Sequence, residues 1–559
     1  MALLGNTQAQ QFLTPQTQAV KHPKNPSFLT PGFQLKGLFK DDFLDAFDQG
    51  NSLLGEEEYS AALGQFLYAY NLDPTSANIN YLTGLTILKS LAIKDKSKAI
   101  RLLERASHDM TNHYNEFETE ERKAPFTSLY YLAYAYHLSY RFDEAIATMQ
   151  LFKEKVGSSK SFEAKDADRI IGWSNTAKKL IQNPVGGTIV NLGDSINSPF
   201  PDYSAVLSAD EHTLIFSSRR TGNVDDLIHD GKTNEFVYIS YKDKNGLWSK
   251  AKPMGDSVIT PYNEASVSLS ADGQELAVYQ EINGGDLFLS HLIGNIWSKP
   301  RPIGQGSEHS DINTAAWETS ASFSADGQVI YFVSDRKGGH GGRDIWQCKK
   351  LPNGKWSMAT NLGLPINSEY DEEAPFIDAS GKTMYFSSNR PESMGGFDIF
   401  VSELQEDGHW SEPKNIGYPI NTTGDDVFYV TSPDGQRAYF SSVRKEGFGD
   451  KDIYMLKVEN PGEKPLALIR GYISLPNGGE LPNGITIEAV GADNGQLMGI
   501  YRPLKRDGSY VIILPVNASY NLSFKQNGQE FYAERIAVPE NGSYQEIKRD
   551  LTLQPVDNH

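Results

Sequence analysis

MYFSSNRPESMGGFDIF, residues 384–400, is nearly said again twice, as IYFVSDRKGGHGGRDIW at 330–346 and AYFSSVRKEGFGDKDIY at 438–454. Aligning further copies on the central aromatic strand superposes Phe216, Val278, Phe332, Phe386 and Phe440, with spacings of 62, 54, 54 and 54 residues. A period near 50 built from short alternating strands and Gly/Asp/Asn turns is the pattern of propeller blades. Each copy closes with a strand opened by tryptophan and ended by glycine, at Trp248/Gly255, Trp297/Gly304, Trp356/Gly363 and Trp410/Gly417. The last copy has no such strand, whereas GTIVNLG, 187–193, precedes the first. The economical reading is that 187–193 supplies the outer strand of the last blade and closes a five-bladed ring over 185–460, which removes long unpaired edges. A degenerate sixth blade within 220–235 is the alternative.

Working outward, residues 38–183 are poor in Gly and Pro and carry apolar residues at helical spacing. Gly50, Ala62, Ala69 and Pro74 recur as Gly84, Ala99 and Ala106, with Ala133 and Ala145 in a third copy. That spacing resembles tetratricopeptide repeats, in which small residues let helices approach closely. The stretch 161–182 reads as a capping helix, and Tyr130 and Tyr134 are candidates to line a groove, against a core role for the same stripe. Residues 1–37 read as a signal remnant and disordered linker. Residues 462–559 alternate with turns about every ten residues and predict a small transthyretin- or immunoglobulin-like β-sandwich.

Composition excludes several classes. The 559 residues carry 52 Lys+Arg against 71 Asp+Glu, a net charge of −19, which repels phosphate backbones, and nucleic acid is not an expected partner. No run of 18 apolar residues spans a bilayer. The single cysteine, Cys348, lies in an apolar strand and reads as a small buried hydrophobe. No zinc-protease, nucleophile-elbow or phosphate-loop motif is present, and neither a metal nor a cofactor is expected. His309, His340 and His409 fall in different blade loops.

One regularity points toward a site. Asp202, Glu264, Glu318, Glu372 and Asp426 each lie nine residues before the turn of their copy and predict an acidic ring at the start of the innermost strands. As a mouth, such a ring would focus field toward a basic peptide or a cation. As a structural device, each carboxylate would accept backbone N–H bonds at a blade junction. Arg220, Arg336, Arg390 and Arg444 share a register, and Asp344, Asp398 and Asp452 each follow an arginine by eight, which predicts Arg-to-Asp bracing.

The order of the three parts, and blades such as YFSSNRPESMGGFDIFVSELQEDGHWSEPKNIG, resemble the periplasmic OmpA-family proteins of Bacteroidetes. These join tetratricopeptide repeats to a TolB/WD40-like (PD40) propeller and a carboxypeptidase regulatory-like sandwich, and include a PorE-type component of type IX secretion. The resemblance implies a non-catalytic, outer-membrane-associated periplasmic scaffold, linked to type IX secretion or gliding motility. Its implied partners are envelope proteins, an outer-membrane barrel protein among them. The chain given stops at His559, after the sandwich, so peptidoglycan is expected only indirectly. Two alternatives stand beside it: a glycan- or cell-wall-binding protein, and a five-bladed-propeller glycosidase with Glu264, Glu318 and Glu372 as candidate carboxylates.

Overall fold

The computed structural model describes residues 38–552 apart from 117, 119, 222–233, 256, 259, 261, 305–311, 463, 477 and 541–543. The expected signal remnant and linker, the 220–235 alternative for most of its length, and His309 lie outside the described residues. By its contacts the chain forms two compact units, one of Met1–Lys179, Thr221–Thr233 and Arg444–Asp450, the other of Leu180–Arg220, Asn234–Val443 and Lys451–His559. Propeller and sandwich, read separately from the sequence, therefore belong to one unit.

The first unit contains α1 (Leu38–Gly55), α2 (Tyr59–Leu72), α3 (Ala77–Lys89), α4 (Lys98–Ala106), α5 (Thr127–Leu138), α6 (Phe142–Val156) and most of α7 (Phe162–Gln182). Ser76 caps α3 by accepting the Ile79 N–H at 3.4 Å. The small residues act as their spacing demands. A Cβ on Gly50 would stand 2.6 Å from the Phe66 ring, and one on Gly84 would stand 2.7 Å from Leu103. Between α4 and α5 a two-residue parallel ladder joins Met110–Thr111 to Ala124–Pro125, which helical periodicity does not announce. No helix among the described residues is long and apolar enough to cross a membrane.

In the second unit five antiparallel sheets follow one another as blades. Their innermost strands are Asp202–Leu207, Glu264–Leu269, Glu318–Phe323, Glu372–Ile377 and Asp426–Thr431. The next strands outward are Thr213–Ser218, Glu275–Gln280, Val329–Ser334, Thr383–Ser388 and Arg437–Ser442, followed by Phe236–Tyr241, Asp286–Ile293, Asp344–Lys349, Asp398–Glu403 and Asp452–Lys457. Thr188–Asn191 pairs with Tyr454–Lys457 and is the fourth strand of blade five. The first β-residues of the chain after the helices thus finish its last blade.

The core lies between blades. Ala277 and Leu287 of blade two pack with Ile330, Phe332 and Cys348 of blade three. Tyr331 and Ile345 of blade three pack with Met384, Phe386 and Phe400 of blade four. Ile453 of blade five packs with Leu214 and Phe216 of blade one, so the ring closes through apolar contact as well as through the shared strand. The pleat explains why the aligned phenylalanines repeat: each is a fully buried residue of a strand whose two faces meet two neighbours.

Residues 466–552 form two packed sheets. Leu466–Ser474 pairs antiparallel with Ser509–Pro515 and parallel with Gln545–Lys548 and Leu551–Thr552. The other sheet runs Leu497–Tyr501, Ile485–Gly491, Ala518–Gln526, Gln529–Val538. The sandwich sits on the end of the propeller where the Asp-Gly turns lie. Leu466, Leu468, Val511 and Ile513 cover Ala209, Ala271 and Ala379. Polar contacts fix the junction, with the Arg502 N–H donating to Asp272 at 2.8 Å and Lys464 to Asp378 at 3.1 Å. An axial channel of about 130 Å³, lined by small residues of the inner strands, meets Ile513 at that end. The opposite end is the mouth.

Candidate functional site

All five ring carboxylates are 0 % exposed, each the first residue of an innermost strand. They are held by one device. The residue four before the acid donates its backbone N–H to it: Thr260 to Glu264 at 2.9 Å, Thr314 to Glu318 at 3.0 Å and Ser368 to Glu372 at 2.9 Å, with Ser198 and Thr422 doing the same for Asp202 and Asp426. The residue facing the acid across the hairpin adds a second bond, from Ser334 to Glu318 at 2.8 Å and Ser388 to Glu372 at 2.9 Å. Two residues further on stands an arginine. Arg336 and Arg390 donate to Glu318 and Glu372 at 2.9 and 2.8 Å, and Arg220 donates to Asp202. Each guanidinium also caps a carbonyl, as Arg336 does at Ile312 (2.9 Å), and lies over aromatic faces, 4.9 Å from Phe332 and 5.3 Å from Phe386. The Y-F-x-S-x-R phrase therefore encodes base, second donor and cation of one buried knot.

This geometry corrects two expectations. The ring does not present negative charge at the mouth, and Glu264, Glu318 and Glu372 are sealed from any saccharide. Burial pushes Asp202 and Glu372 upward while Arg220 and Arg390 pull them back. The second correction concerns bracing. Arg220, Arg336 and Arg390 reach acids eighteen residues before them, because the hairpin brings those positions to one face. Asp344, Asp398 and Asp452 instead accept from Asn361 (2.8 Å), Asn415 (2.6 Å) and Asn191 (2.7 Å). A further regularity escaped notice: Asn197, Asn313, Asn367 and Asn421, each five before a ring acid, pair through their amides with the backbone of Ile453, Leu287, Ile345 and Ile399. In the helical unit Tyr130 is also corrected. It is buried, with its hydroxyl donating to Asp166 at 2.7 Å, so it is core and not groove, while Tyr134 is half-buried and stacked on His137.

The chemistry of the mouth lies one residue away, where the repeat fails. Immediately before the ring acids stand Pro201, Asn263, Trp317, Asp371 and Asp425. After the second strands stand Arg219, Glu281, Asp335, Asn389 and Val443, and before the third strands Glu235, Gly285, Arg343, Phe397 and Lys451. A bulge just past each ring acid bends the inner strand here. Phe428, at φ 58°, stacks on Tyr203 beside it.

From Tyr203 the contacts run as an arc. The Arg219 Nε donates to the Tyr203 hydroxyl at 3.1 Å, and its Nη2 lies 3.6 Å from Glu235. Asn263 accepts the Glu235 N–H at 2.9 Å and donates its amide to Glu281 at 2.5 Å. Trp317, 42 % exposed, donates its indole N–H to Tyr279 at 3.1 Å and lies under Arg343, 5.4 Å from its ring. Arg343 pairs with Glu373, whose other oxygen accepts the Thr319 hydroxyl at 2.9 Å. Burial, reinforced by the charge of Glu281, pushes Glu235 up to about 7. Burial also raises Glu373, against Arg343. Glu281 is exposed to solvent. Asn263 thus holds the backbone of the buried Glu235 and the carboxylate of the exposed Glu281.

No protein-family model and no curated protein matches the chain. Among solved structures it is similar to a gluconolactonase from Xanthomonas campestris, at 11 % identity over 48 % of this chain and 89 % of that one, TM-score 0.26. It is similar to a GH43 β-xylosidase/α-arabinofuranosidase from a compost metagenome, at 10 % identity over 49 % and 98 %, TM-score 0.32. It is also similar to an α-L-arabinofuranosidase from Lactobacillus brevis, at 13 % identity over 48 % and 94 %, TM-score 0.31. These neighbours are enzymes by name, which stands against the expectation of a non-catalytic protein. Likeness at these scores carries neither substrate nor mechanism, which rest on the residues of the mouth.

Replacing Arg336 by methionine leaves Glu318 buried without its cation. The expected loss is about 3 kcal/mol of unfolding free energy at pH 7. Urea unfolding of wild type and variant measures it. A variant as stable as wild type would contradict this.

Proposed function

We propose that the propeller mouth binds a saccharide and cleaves a glycosidic bond, with Glu235 as proton donor and Glu281 as the second carboxylate. The observation that carries this reading is the contrast between them: Glu235 is buried and raised to about 7, in part by the charge of Glu281, which itself stands in solvent. Glycoside cleavage needs one carboxyl that keeps its proton near neutral pH and another that accepts one. The Glu235 proton passes to the glycosidic oxygen as the bond to the anomeric carbon breaks. A water adds its oxygen to that carbon and gives its proton to Glu281. Trp317 offers an apolar face for a sugar ring, held by its indole bond to Tyr279.

Release of aryl alcohol from a panel of aryl-glycosides, with reducing-end release from polysaccharides, tests the reading. Glu235→Gln should lower kcat at least ~100-fold while oligosaccharide binding persists. Wild-type activity should fall as pH rises through about 7, where Glu235 loses its proton. Turnover unchanged in the variant, or no saccharide bound or cleaved, would overturn it.

A separate observation favours a second role for the helical unit. Gly50 and Gly84, one 34-residue period apart, each admit a large side chain from the following helix. That supports a tetratricopeptide-type solenoid, an architecture suited to holding a protein segment. Together with the sequence resemblance it supports a periplasmic protein associated with the outer membrane, carrying a regulatory-like sandwich and working beside a barrel protein of a type IX secretion or gliding assembly. Fractionation of cells expressing the protein should recover it with the envelope. Recovery in the cytoplasmic fraction alone would contradict this placement.

A further inference from the structure

Blade two breaks the knot that blades one, three and four show. In the register of Arg220, Arg336 and Arg390 it has Ile282, and facing the acid it has Gln280 in place of serine. Ile282 packs into the apolar cluster between blades one and two, with Val278 and Phe288. Glu264 keeps the Thr260 N–H at 2.9 Å and gains the Gln280 amide at 2.9 Å, both on the same oxygen, Oε1. Its Oε2 is buried and has no hydrogen-bond partner among the described residues. In the third strand of blade one, Phe236 stands where Asp286, Asp344, Asp398 and Asp452 stand in the other blades.

A carboxylate with one oxygen doubly served and the other buried without a donor is a poor place for a negative charge. The titratable groups on the strands packed against this one are Asp202, Tyr203, Tyr238, Tyr241, Glu275, Tyr279 and Glu318. Asp202 and Glu318 are taken by their own arginines, Glu275 by Arg502, and the Tyr279 and Tyr203 hydroxyls accept from Trp317 and Arg219. None of these hydrogen-bonds Glu264. Burial moves Glu264 in the matching direction, upward.

We propose that Glu264 carries its own proton in the folded protein, on Oε2, where blades one, three and four use an arginine. Blade two is thereby neutral at its knot and depends on pH. The consequence reaches the mouth, because the adjoining Asn263 holds Glu235 and Glu281, and the Glu264 N–H donates to the Glu235 carbonyl at 3.2 Å. Loss of the proton loosens the strand that positions the pair. This inference stands on stability and does not require a saccharide.

The sign is fixed by linkage. A carboxyl raised in the folded state contributes stability that is complete below its unfolded pKa and is lost as pH rises through its folded one. Urea unfolding of wild type and Glu264→Gln, which imitates the protonated acid, is compared from pH 4 to 9. The ratio of unfolding constants, wild type over variant, should climb by up to about tenfold per pH unit above the ordinary carboxylate range. Should Glu264→Gln not fold, Ile282→Arg restores a guanidinium at the shared register and should flatten the same pH dependence. A ratio constant with pH, or an Ile282→Arg variant with the wild-type pH dependence, would overturn the proposal.

Discussion

A carboxylate buried at the start of each innermost strand must be answered where it stands. The cost of taking it out of water is several kcal/mol unless donors and a counter-charge surround it. In blades one, three and four the answer is the same set: a hydroxyl and N–H from the incoming loop, a serine across the hairpin, and an arginine lying on aromatic rings. Because the incoming loop also belongs to the connection from the preceding blade, satisfying the acid fixes one sheet against the next. The apolar clusters between sheets then pack in register around the ring, and Thr188–Asn191 closes it.

Once the knots are set, the residues beside them are held in place and released from repetition. Positions next to the ring acids, equivalent by register, carry Pro201, Asn263, Trp317, Asp371 and Asp425, four different residue types at one backbone geometry. A binding or catalytic site needs unlike groups, and here the unlike groups gather at the mouth end of a uniform scaffold. Blade two differs most, losing the arginine of the knot while supplying Asn263, Tyr279 and Glu281 to the mouth.

Much of the scaffold was legible in the sequence because repetition multiplies a weak signal. The 54-residue offset located the blades, and the missing tryptophan strand of the last copy led to the strand before Gly193. The ring acids were legible as positions but not as environments, since spacing does not tell a mouth from a sealed junction. The partner of each arginine was misread because sequence distance is a poor guide across a hairpin: Glu372 faces Ser388, so Arg390 two residues on returns to it. Tyr130 was misplaced because a helical tyrosine stripe looks alike in core and groove until Asp166 is seen to receive its hydroxyl. Glu235 and Glu281 escaped because a search for regularity passes over residues whose value lies in being dissimilar.

The central claim is that the knots are cooperative electrostatic units and not incidental neighbours. A double-mutant cycle on Glu372→Gln and Arg390→Met, read as unfolding free energy at pH 7, tests it most directly. The account predicts a coupling of at least about 2 kcal/mol, with the double variant more stable than additivity of the two single losses allows. Additive losses, with coupling near zero, would contradict it.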